Sequence, residues 1–205
     1  MKPEKIECHD APTVDVLLLT ANKKELRAAY EILSQPKVAD FGENLSIVYF
    51  GKIGKNNVAL IKSQVGAGGT GGAQATCTEA TSKLKPKAVI AVGVCFGMKR
   101  GQQKLSEVLV SNKLATYGPI RVNPDGSEIP LGVNCECDRR LVQLFRNGIW
   151  KGPREDENKP NVSIGLIISG PELIDNKVRL EELRSRYPRA LGGEMEGEGN
   201  TYDRE

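Results

Sequence analysis

Three glutamates lie close together near the end of the sequence, in the stretch LGGEMEGEG. Glu194 and Glu196 flank Met195, and Glu198 follows two residues later. Acids favour the first turn of a helix, but three acids within five residues are more than compensation of the helix dipole requires. Like charges at this spacing also repel one another. A ligand with positive charge or many hydroxyl groups relieves the repulsion. A carboxylate accepts both hydroxyls of a ribose, and it stabilises a cationic oxocarbenium-like transition state more than the ground state.

Glu25 is a second carboxylate that could take part in chemistry, because it follows the apolar run VDVLLLT. It falls in the first turn of a predicted helix whose N-cap is Asn22. Two interpretations stay open. The acid either offsets the helix dipole or belongs to a binding site at the end of the strand.

The stretch GAGGTGG at 66–72 places several glycines before another predicted helix. Such a turn lets backbone amides approach an anion. It is not a P-loop, since no GK[ST] closes it, and it lacks the acidic residue that a dinucleotide fingerprint requires. A ligand loop that begins at Gly66 and a plain tight turn are equally compatible with this stretch.

Cys95 lies in a third glycine-containing turn, between Gly93 and Gly97. A nucleophilic thiol needs a base, and the only histidine, His9, lies in the polar N-terminal stretch. We therefore interpret Cys95 as a small packing residue. The five cysteines form no CxxC motif, so we do not expect a structural zinc site. We expect the thiols to be reduced and the protein to be cytoplasmic.

Alternating strands and helices must position these stretches. The apolar runs at 14–20, 87–97 and 162–170 predict strands buried on both faces, and a tight turn joins a strand pair at 45–64. We predict an α/β fold with a mixed, mostly parallel central sheet and helices on both faces. Ligands of such sheets bind at the carboxyl ends of the strands.

Composition bounds the remaining possibilities. The net charge of +3 comes from 29 basic and 26 acidic residues that are mixed along the chain, so we expect no nucleic-acid partner. No apolar run approaches the roughly 18 residues of a membrane span, so we expect no membrane partner. We predict a polar leader at 1–13 and a single domain at 14–205.

The chain resembles the nucleoside phosphorylase and nucleosidase superfamily from about Val14 to Gly199. The resemblance rests on several motifs in order: LLLTANKKE, VGAGGTGG, AVIAVGVCFGM, SEVLVSNKLATYGPI, IISGPELIDN and GGEMEGEG. It is strongest to the branch similar to methylthioadenosine/adenosylhomocysteine nucleosidases. That branch includes phosphorylase-like domains of immune proteins, some of which act on nucleotides such as ATP.

The resemblance implies roles for the acidic motif and for Glu25. Glu196 corresponds to the glutamate that holds the ribose 2′ and 3′ hydroxyls, and Met195 to the methionine that packs under the sugar. Glu194 corresponds to the first glutamate of the motif. Glu25 corresponds to the glutamate that polarises the attacking water in the nucleosidases.

The resemblance also implies the residues that surround the base. Leu173 and Ile174 correspond to the segment that sandwiches the base, although an aromatic residue is frequent at the first of these positions. The loop of Cys95, Phe96 and Gly97 corresponds to the one that passes beside the base and ribose.

The implied chemistry is hydrolysis of a purine N-glycosidic bond, and it requires no metal or cofactor. A phosphorylase would want a hydroxyl and an arginine near the glycine loops. The stretch VGVCFGM offers no hydroxyl, which favours hydrolysis, although Arg27 and the glycines of 66–72 keep phosphorolysis open. A non-catalytic nucleoside or nucleotide sensor is a further alternative.

Basic side chains flank two of these stretches. Lys24 adjoins Glu25, and Lys99 and Arg100 follow the turn that contains Cys95. They are either ordinary surface charge or a rim that binds a 5′-phosphate chain, as a nucleotide nucleosidase would need.

Members of the superfamily continue past the EMEG helix into a strand with an aspartate that protonates the purine. Asp203 is too close to Glu196 to be that residue. We therefore expect the last strand, the last helix and this general acid to be absent from the chain. A truncated product, a catalytically weak relative and a fold completed by a partner subunit stay open. The resemblance also implies a homo-oligomer.

Overall fold

The computed structural model describes residues 3–42, 45, 47–64, 71–118, 120–126, 128–130, 134–148, 161–172 and 174–195. This part of the predicted domain falls into two compact units, which meet in sequence between Val94 and Cys95. Both units combine strands with helices, so the predicted α/β fold class is confirmed. No helix in the described ranges is long and apolar enough to cross a membrane.

The first unit contains a mixed sheet with a helix against each face. Its described elements are β1 (Glu4–Lys5), β2 (Val16–Thr20), α1 (Lys23–Glu31), β3 (Ser34–Ala39), β4 (Val48–Ile53), β5 (Asn56–Lys62), α2 (Ala73–Leu84) and β6 (Ala88–Ala91). The strand order is β1-β3-β4-β5-β2-β6. β2 pairs in parallel with β5 and β6, whereas β4 is antiparallel to both of its neighbours.

β2 is buried on both faces, as its unbroken apolar run predicts. Leu17 and Leu19 belong to a cluster that includes buried residues of α2, and Leu18 belongs to a cluster that includes Ala29 of α1. Full burial of a leucine side chain contributes about 1.5–3 kcal/mol. Strand β2 therefore contacts α2 on one face of the sheet and α1 on the other.

Strand β3 was not predicted, because it contains Pro36 and prolines are rare within strands. Helix α1 ends at Glu31, and the pairing of β3 with β4 shifts register between Ser34 and Lys37. Gln35 has φ of 53° at this bulge. Proline is tolerated in a strand at such an irregularity, since it has no N–H for the ladder.

The polar leader predicted for residues 1–13 contains β1, which pairs in parallel with Lys37 and Val38 of β3. Ile6 packs against the core cluster of the first unit. The strand pair predicted at 45–64 is confirmed as an antiparallel hairpin, because β4 ends at Ile53 and β5 begins two residues after Gly54.

The second unit contains a five-stranded sheet in the order β11-β8-β12-β13-β7 and a separate hairpin of β9 and β10. Its described elements are β7 (Phe96–Gly97), β8 (Val108–Thr116), β9 (Ile120–Val122), β10 (Glu128–Pro130), β11 (Asn134–Glu136), α3 (Arg139–Asn147), β12 (Val162–Ser169), α4 (Lys177–Arg186) and β13 (Ala190–Glu194). The central strands β8, β12 and β13 are parallel. Asp138 and Asn176 cap α3 and α4 with their side chains.

Strand β7 lies antiparallel to β13 and leaves no room for a side chain at Gly193. Gly192 pairs with Gly97, and Gly193 pairs with Phe96. A Cβ atom on Gly193 would lie 2.1 Å from Cζ of Phe96, which is far inside van der Waals contact. The ring of Phe96 therefore occupies the space that a side chain at position 193 would need.

Replacing Gly193 by alanine should lower the free energy of unfolding by about 1–3 kcal/mol, the usual cost of overpacking. Urea denaturation followed by circular dichroism measures the change. The same substitution in a Phe96→Ala background should cost less, because the ring is then absent. An equal cost in both backgrounds would show that the ring is not the obstacle.

Candidate functional site

In the first unit, the carboxyl ends of the parallel strands lie at one edge of the sheet. Thr20 of β2 pairs with Lys62 of β5, and Leu19 pairs with Ala91 of β6. The Val92 N–H donates to the Leu19 carbonyl at 2.8 Å, so the chain after β6 stays beside β2. This edge presents the beginning of α1 and the loop that follows β6, two of the stretches that the sequence analysis selected.

Glu25 is held at this edge by three backbone donors. Its Oε2 accepts from the N–H groups of Ala21 and Asn22 at 3.0 and 3.2 Å. Its Oε1 accepts from the N–H of Val94 at 3.0 Å. Asn22 completes a capping box, since its Oδ1 accepts from the N–H of Glu25 at 3.0 Å. The carboxylate therefore connects the start of α1 with the loop after β6.

The absence of a side chain at Gly93 allows this loop to approach Glu25. A Cβ atom at position 93 would lie 3.2 Å from Glu25 Oε1, which is a tight contact. From the sequence alone, a helix-capping role and a site role stay open for Glu25. The structure shows the capping role, and Oε1 keeps a lone pair beyond its bond to Val94 because a carboxylate oxygen accepts two hydrogen bonds.

The described ends of the glycine-rich stretch are bound to each other. The Gln64 N–H donates to the Gly71 carbonyl at 2.8 Å, and the Thr76 hydroxyl donates to the same carbonyl at 3.1 Å. Gly71 has φ of +82°, a conformation that favours glycine. Gly66 lies outside the described residues.

In the second unit, β8, β12 and β13 also end at one edge. Ser169 of β12 pairs with Thr116 on one side and with Glu194 on the other. Beyond the strands, the Tyr117 N–H donates to the Ser169 carbonyl at 2.8 Å, and the Gly170 N–H donates to the Glu194 carbonyl at 3.1 Å. The pairing continues past the ends of the ladders, so these backbones are fixed relative to one another.

Cys95 and Phe96 lie against the glycines of β13, beside Glu194. A Cβ atom on Gly192 would lie 3.3 Å from the Cys95 Sγ. Burial raises the pKa of the Cys95 thiol, and the negative charge of Glu194 raises it further. Thiolate formation is therefore disfavoured, which agrees with the interpretation of Cys95 as a packing residue.

A network around Tyr117 was missed by the sequence analysis. The buried ring of Tyr117 covers Gly170, where a Cβ atom would lie 2.5 Å from the ring Cζ, and its hydroxyl donates to the Glu172 carbonyl at 3.2 Å. Burial raises the pKa of Tyr117 to about 12, so the phenol stays a donor. The Glu172 carboxylate binds Arg179, whose hydrogen bonds and charge lower the pKa of this carboxyl.

Three of the four predicted phosphate-binding side chains contact protein groups. Arg27 forms an exposed ion pair with Glu31. The Lys99 ammonium donates to the Pro188 carbonyl. Arg100 lies 3.9 Å from Glu181. Lys24 is exposed in the first turn of α1.

The other predicted site residues have the following places. Gly97 lies in β7, and a Cβ atom there would meet the Gln103 side chain at 2.8 Å. Ile174 and Phe96 pack against the core cluster that contains Tyr117. Met195 is half-buried directly after β13. Leu173 and Glu196 lie outside the described residues. Among the described residues, no group of three His, Cys, Asp or Glu side chains could hold a metal ion.

The sequence profile of the Phosphorylase superfamily matches residues 15–198, which include all the predicted site residues. The chain belongs to this superfamily. The predicted resemblance to nucleoside phosphorylases and nucleosidases is thereby confirmed.

Two relatives within the Phosphorylase superfamily are similar over most of the chain. A death domain-containing ATP nucleosidase of Amphimedon queenslandica is 33% identical over 97% of the chain and 42% of the relative. A 5′-methylthioadenosine/S-adenosylhomocysteine nucleosidase of Exiguobacterium is 30% identical over 72% of the chain and 61% of the relative. The chain thus spans roughly half of the length of these two relatives.

Solved structures of the Phosphorylase superfamily share the fold. The 5′-methylthioadenosine/S-adenosylhomocysteine nucleosidase of Neisseria meningitidis, in complex with methylthio-immucillin-A, has a TM-score of 0.72 at 20% identity and covers 91% of the chain and 78% of its own. A Borrelia burgdorferi structure of a putative nucleosidase of the same name, bound to adenine, has a TM-score of 0.72 at 22% identity, with the same shares covered.

Cys95 should react with iodoacetamide more slowly than the exposed Cys8, because its raised pKa and its burial both lower the concentration of accessible thiolate. The rate should increase with pH over a range above that of an ordinary thiol. Peptide mapping by mass spectrometry after timed labelling measures both rates. Faster labelling of Cys95 than of Cys8 at pH 8 would contradict the assignment.

Proposed function

We propose that the chain is a purine N-glycosidase, which hydrolyses the bond between base and ribose. The observation that carries this proposal is the fixed Glu25 carboxylate at the strand-end edge, in a chain whose matched relatives are nucleosidases. Open α/β sheets bind ligands at this edge. A carboxylate that the backbone holds in place can orient a water without reorganisation during the reaction.

Glu25 is the proposed general base. A water that donates a hydrogen bond to Glu25 Oε1 directs an oxygen lone pair away from the carboxylate and toward an electrophilic carbon. The attack forms the new C–O bond at the anomeric carbon as the bond to the base breaks, and the electron pair of that bond leaves with the purine. One proton of the water passes to the carboxylate, and the departing purine takes a proton from solvent water. Positive charge on the ribose during this step is stabilised by nearby carboxylates.

The acidic motif at 194–196 is the proposed ribose site. Glu196 accepts hydrogen bonds from the 2′ and 3′ hydroxyls, and Met195 packs under the sugar, as the resemblance implies. Glu194 pairs with Ser169 of β12, and its negative charge raises the pKa of both Cys95 and Tyr117. This supports a negative potential at the strand end, which suits a cationic transition state.

Segment 172–174 is the proposed base site. Ile174 packs with Phe96 and Tyr117 in one cluster, so an apolar surface adjoins the carboxyl end of β12. Apolar contacts and a few fixed polar groups are typical of sites for small planar ligands.

ATP or another 5′-phosphorylated adenosine is the proposed substrate. The support is the 33% identity to an ATP nucleosidase over 97% of the chain. Lys24, at the positive end of the α1 dipole, is the side chain best suited to a phosphate group, because Lys99 and Arg100 contact other protein groups. A homo-oligomer and a cytoplasmic location stay predictions, and light scattering measures the first.

Incubation with ATP, adenosine, methylthioadenosine and inosine in phosphate-free buffer should release free base, which chromatography detects. Glu196→Gln should lower kcat/KM by about 10²–10³, because one preorganised transition-state contact is lost. The matched control is Glu4→Gln on the exposed strand β1, which should leave the rate unchanged. Thermal melts of both variants verify folding.

Each alternative outcome identifies a different function. No base released from any substrate would remove the hydrolase proposal. Binding of a nucleotide in calorimetry without turnover would identify a sensor. Strict dependence on phosphate, with ribose 1-phosphate as product, would identify a phosphorylase.

A further inference from the structure

The loop that follows β12 is held at three points. At its start, the Gly170 N–H donates to the Glu194 carbonyl of β13. At its centre, the Glu172 carbonyl accepts from the hydroxyl of Tyr117, which follows β8. At its end, Asn176 caps α4 by accepting from the Val178 and Arg179 N–H groups at 2.9 and 3.1 Å.

An ion pair between Glu172 and Arg179 adds a side-chain connection across the same loop. Arg179 Nε donates to Glu172 Oε2 at 2.8 Å, and Nη2 donates to Oε1 at 2.7 Å. The remaining nitrogen, Nη1, donates to Glu182 at 3.0 Å. Two parallel hydrogen bonds between a guanidinium and a carboxylate fix orientation as well as distance.

This ion pair lies at the surface, where a contribution to folding stability explains its presence poorly. The side chains of Arg179 and Glu172 are 31% and 38% exposed, and exposed ion pairs contribute little to folding. The pair instead holds the residue whose carbonyl accepts from the Tyr117 hydroxyl. Glu172 is therefore fixed on two sides, through its carbonyl and through its carboxylate.

We propose that Arg179 is a positioning residue, which fixes the loop after β12 through Glu172 in the conformation that binds the purine base. The proposal rests on the proposed function, which assigns base binding to segment 172–174. Base recognition by backbone groups and by Ile174 requires a loop with few alternative conformations, because ordering a mobile loop reduces affinity. Arg179 reduces this ordering cost without touching the base.

Arg179→Met should weaken adenine binding about tenfold, since loss of a coupled contact of this kind commonly costs that much. Isothermal titration calorimetry with adenine measures the dissociation constant, and titration with ribose 5-phosphate should show no change. For turnover, KM should rise more than kcat falls. Arg179→Lys keeps the charge without the bidentate geometry, so it should restore part of the affinity.

Glu172→Gln should have an effect similar to Arg179→Met, and the double variant should be no weaker than either single one, because the pair acts as a unit. Lys87→Met is the control, since it breaks an ion pair with Asp15 at 2.7 Å, far from the loop in the sequence. It should leave adenine affinity unchanged. Hydrogen exchange of the 170–176 peptide should accelerate in Arg179→Met and stay constant in Lys87→Met.

The two proposals fail in different ways. If the wild type releases base but Arg179→Met binds adenine as well as the wild type, the positioning role is wrong and the proposed function stands. If the wild type binds adenine without turnover and Arg179→Met weakens that binding, the positioning role stands and the hydrolase proposal fails. If the wild type does not bind adenine, the positioning role is overturned.

Discussion

The parallel register of β8, β12 and β13 is the constraint on which the second unit depends. It brings Thr116, Ser169 and Glu194 into one row, and the backbone hydrogen bonds continue past the strand ends to Tyr117 and Gly170. A shift of one residue in either pairing would turn every side chain of that strand to the opposite face. The loops at this edge take their positions from that row.

Much of the architecture could be predicted because it rests on local rules. The apolar run before residue 21 predicted a strand buried on both faces, and the polar side chain of Asn22 predicted the start of α1. The carboxyl-end rule then selected Glu25 and Glu194, which the structure places at sheet edges. The motifs also carried the superfamily resemblance, which the comparisons confirmed.

Short polar strands and long-range side-chain contacts could not be predicted from such local rules. β3 contains a proline, and β1 and β11 have only two and three residues, so neither periodicity nor composition marks them. The contacts of Tyr117 join residues 55 positions apart, and the sequence contains no pattern that specifies such a pair. Lys99 and Arg100 looked available for phosphate from their charge alone, whereas the fold places protein acceptors beside them.

Glu25, the proposed general base, and Glu194, the first acid of the motif at 194–196, are fixed by different means. Glu25 is fixed by hydrogen bonds from three backbone N–H groups, so its position is part of the helix cap. Glu194 is fixed by its place in a strand, and its charge acts on Cys95 and Tyr117. Charges that are fixed in advance in this way need little rearrangement during a reaction.

The contact between Tyr117 and Gly170 has a practical consequence for protein engineering. The phenol ring fills the volume beside the glycine, and its hydroxyl also holds the Glu172 main chain. Neither position can change size alone without displacing the loop between β12 and α4. Libraries that aim to alter the proposed base site should therefore vary the tyrosine and the glycine together, because a change of size at one position alone disturbs this loop.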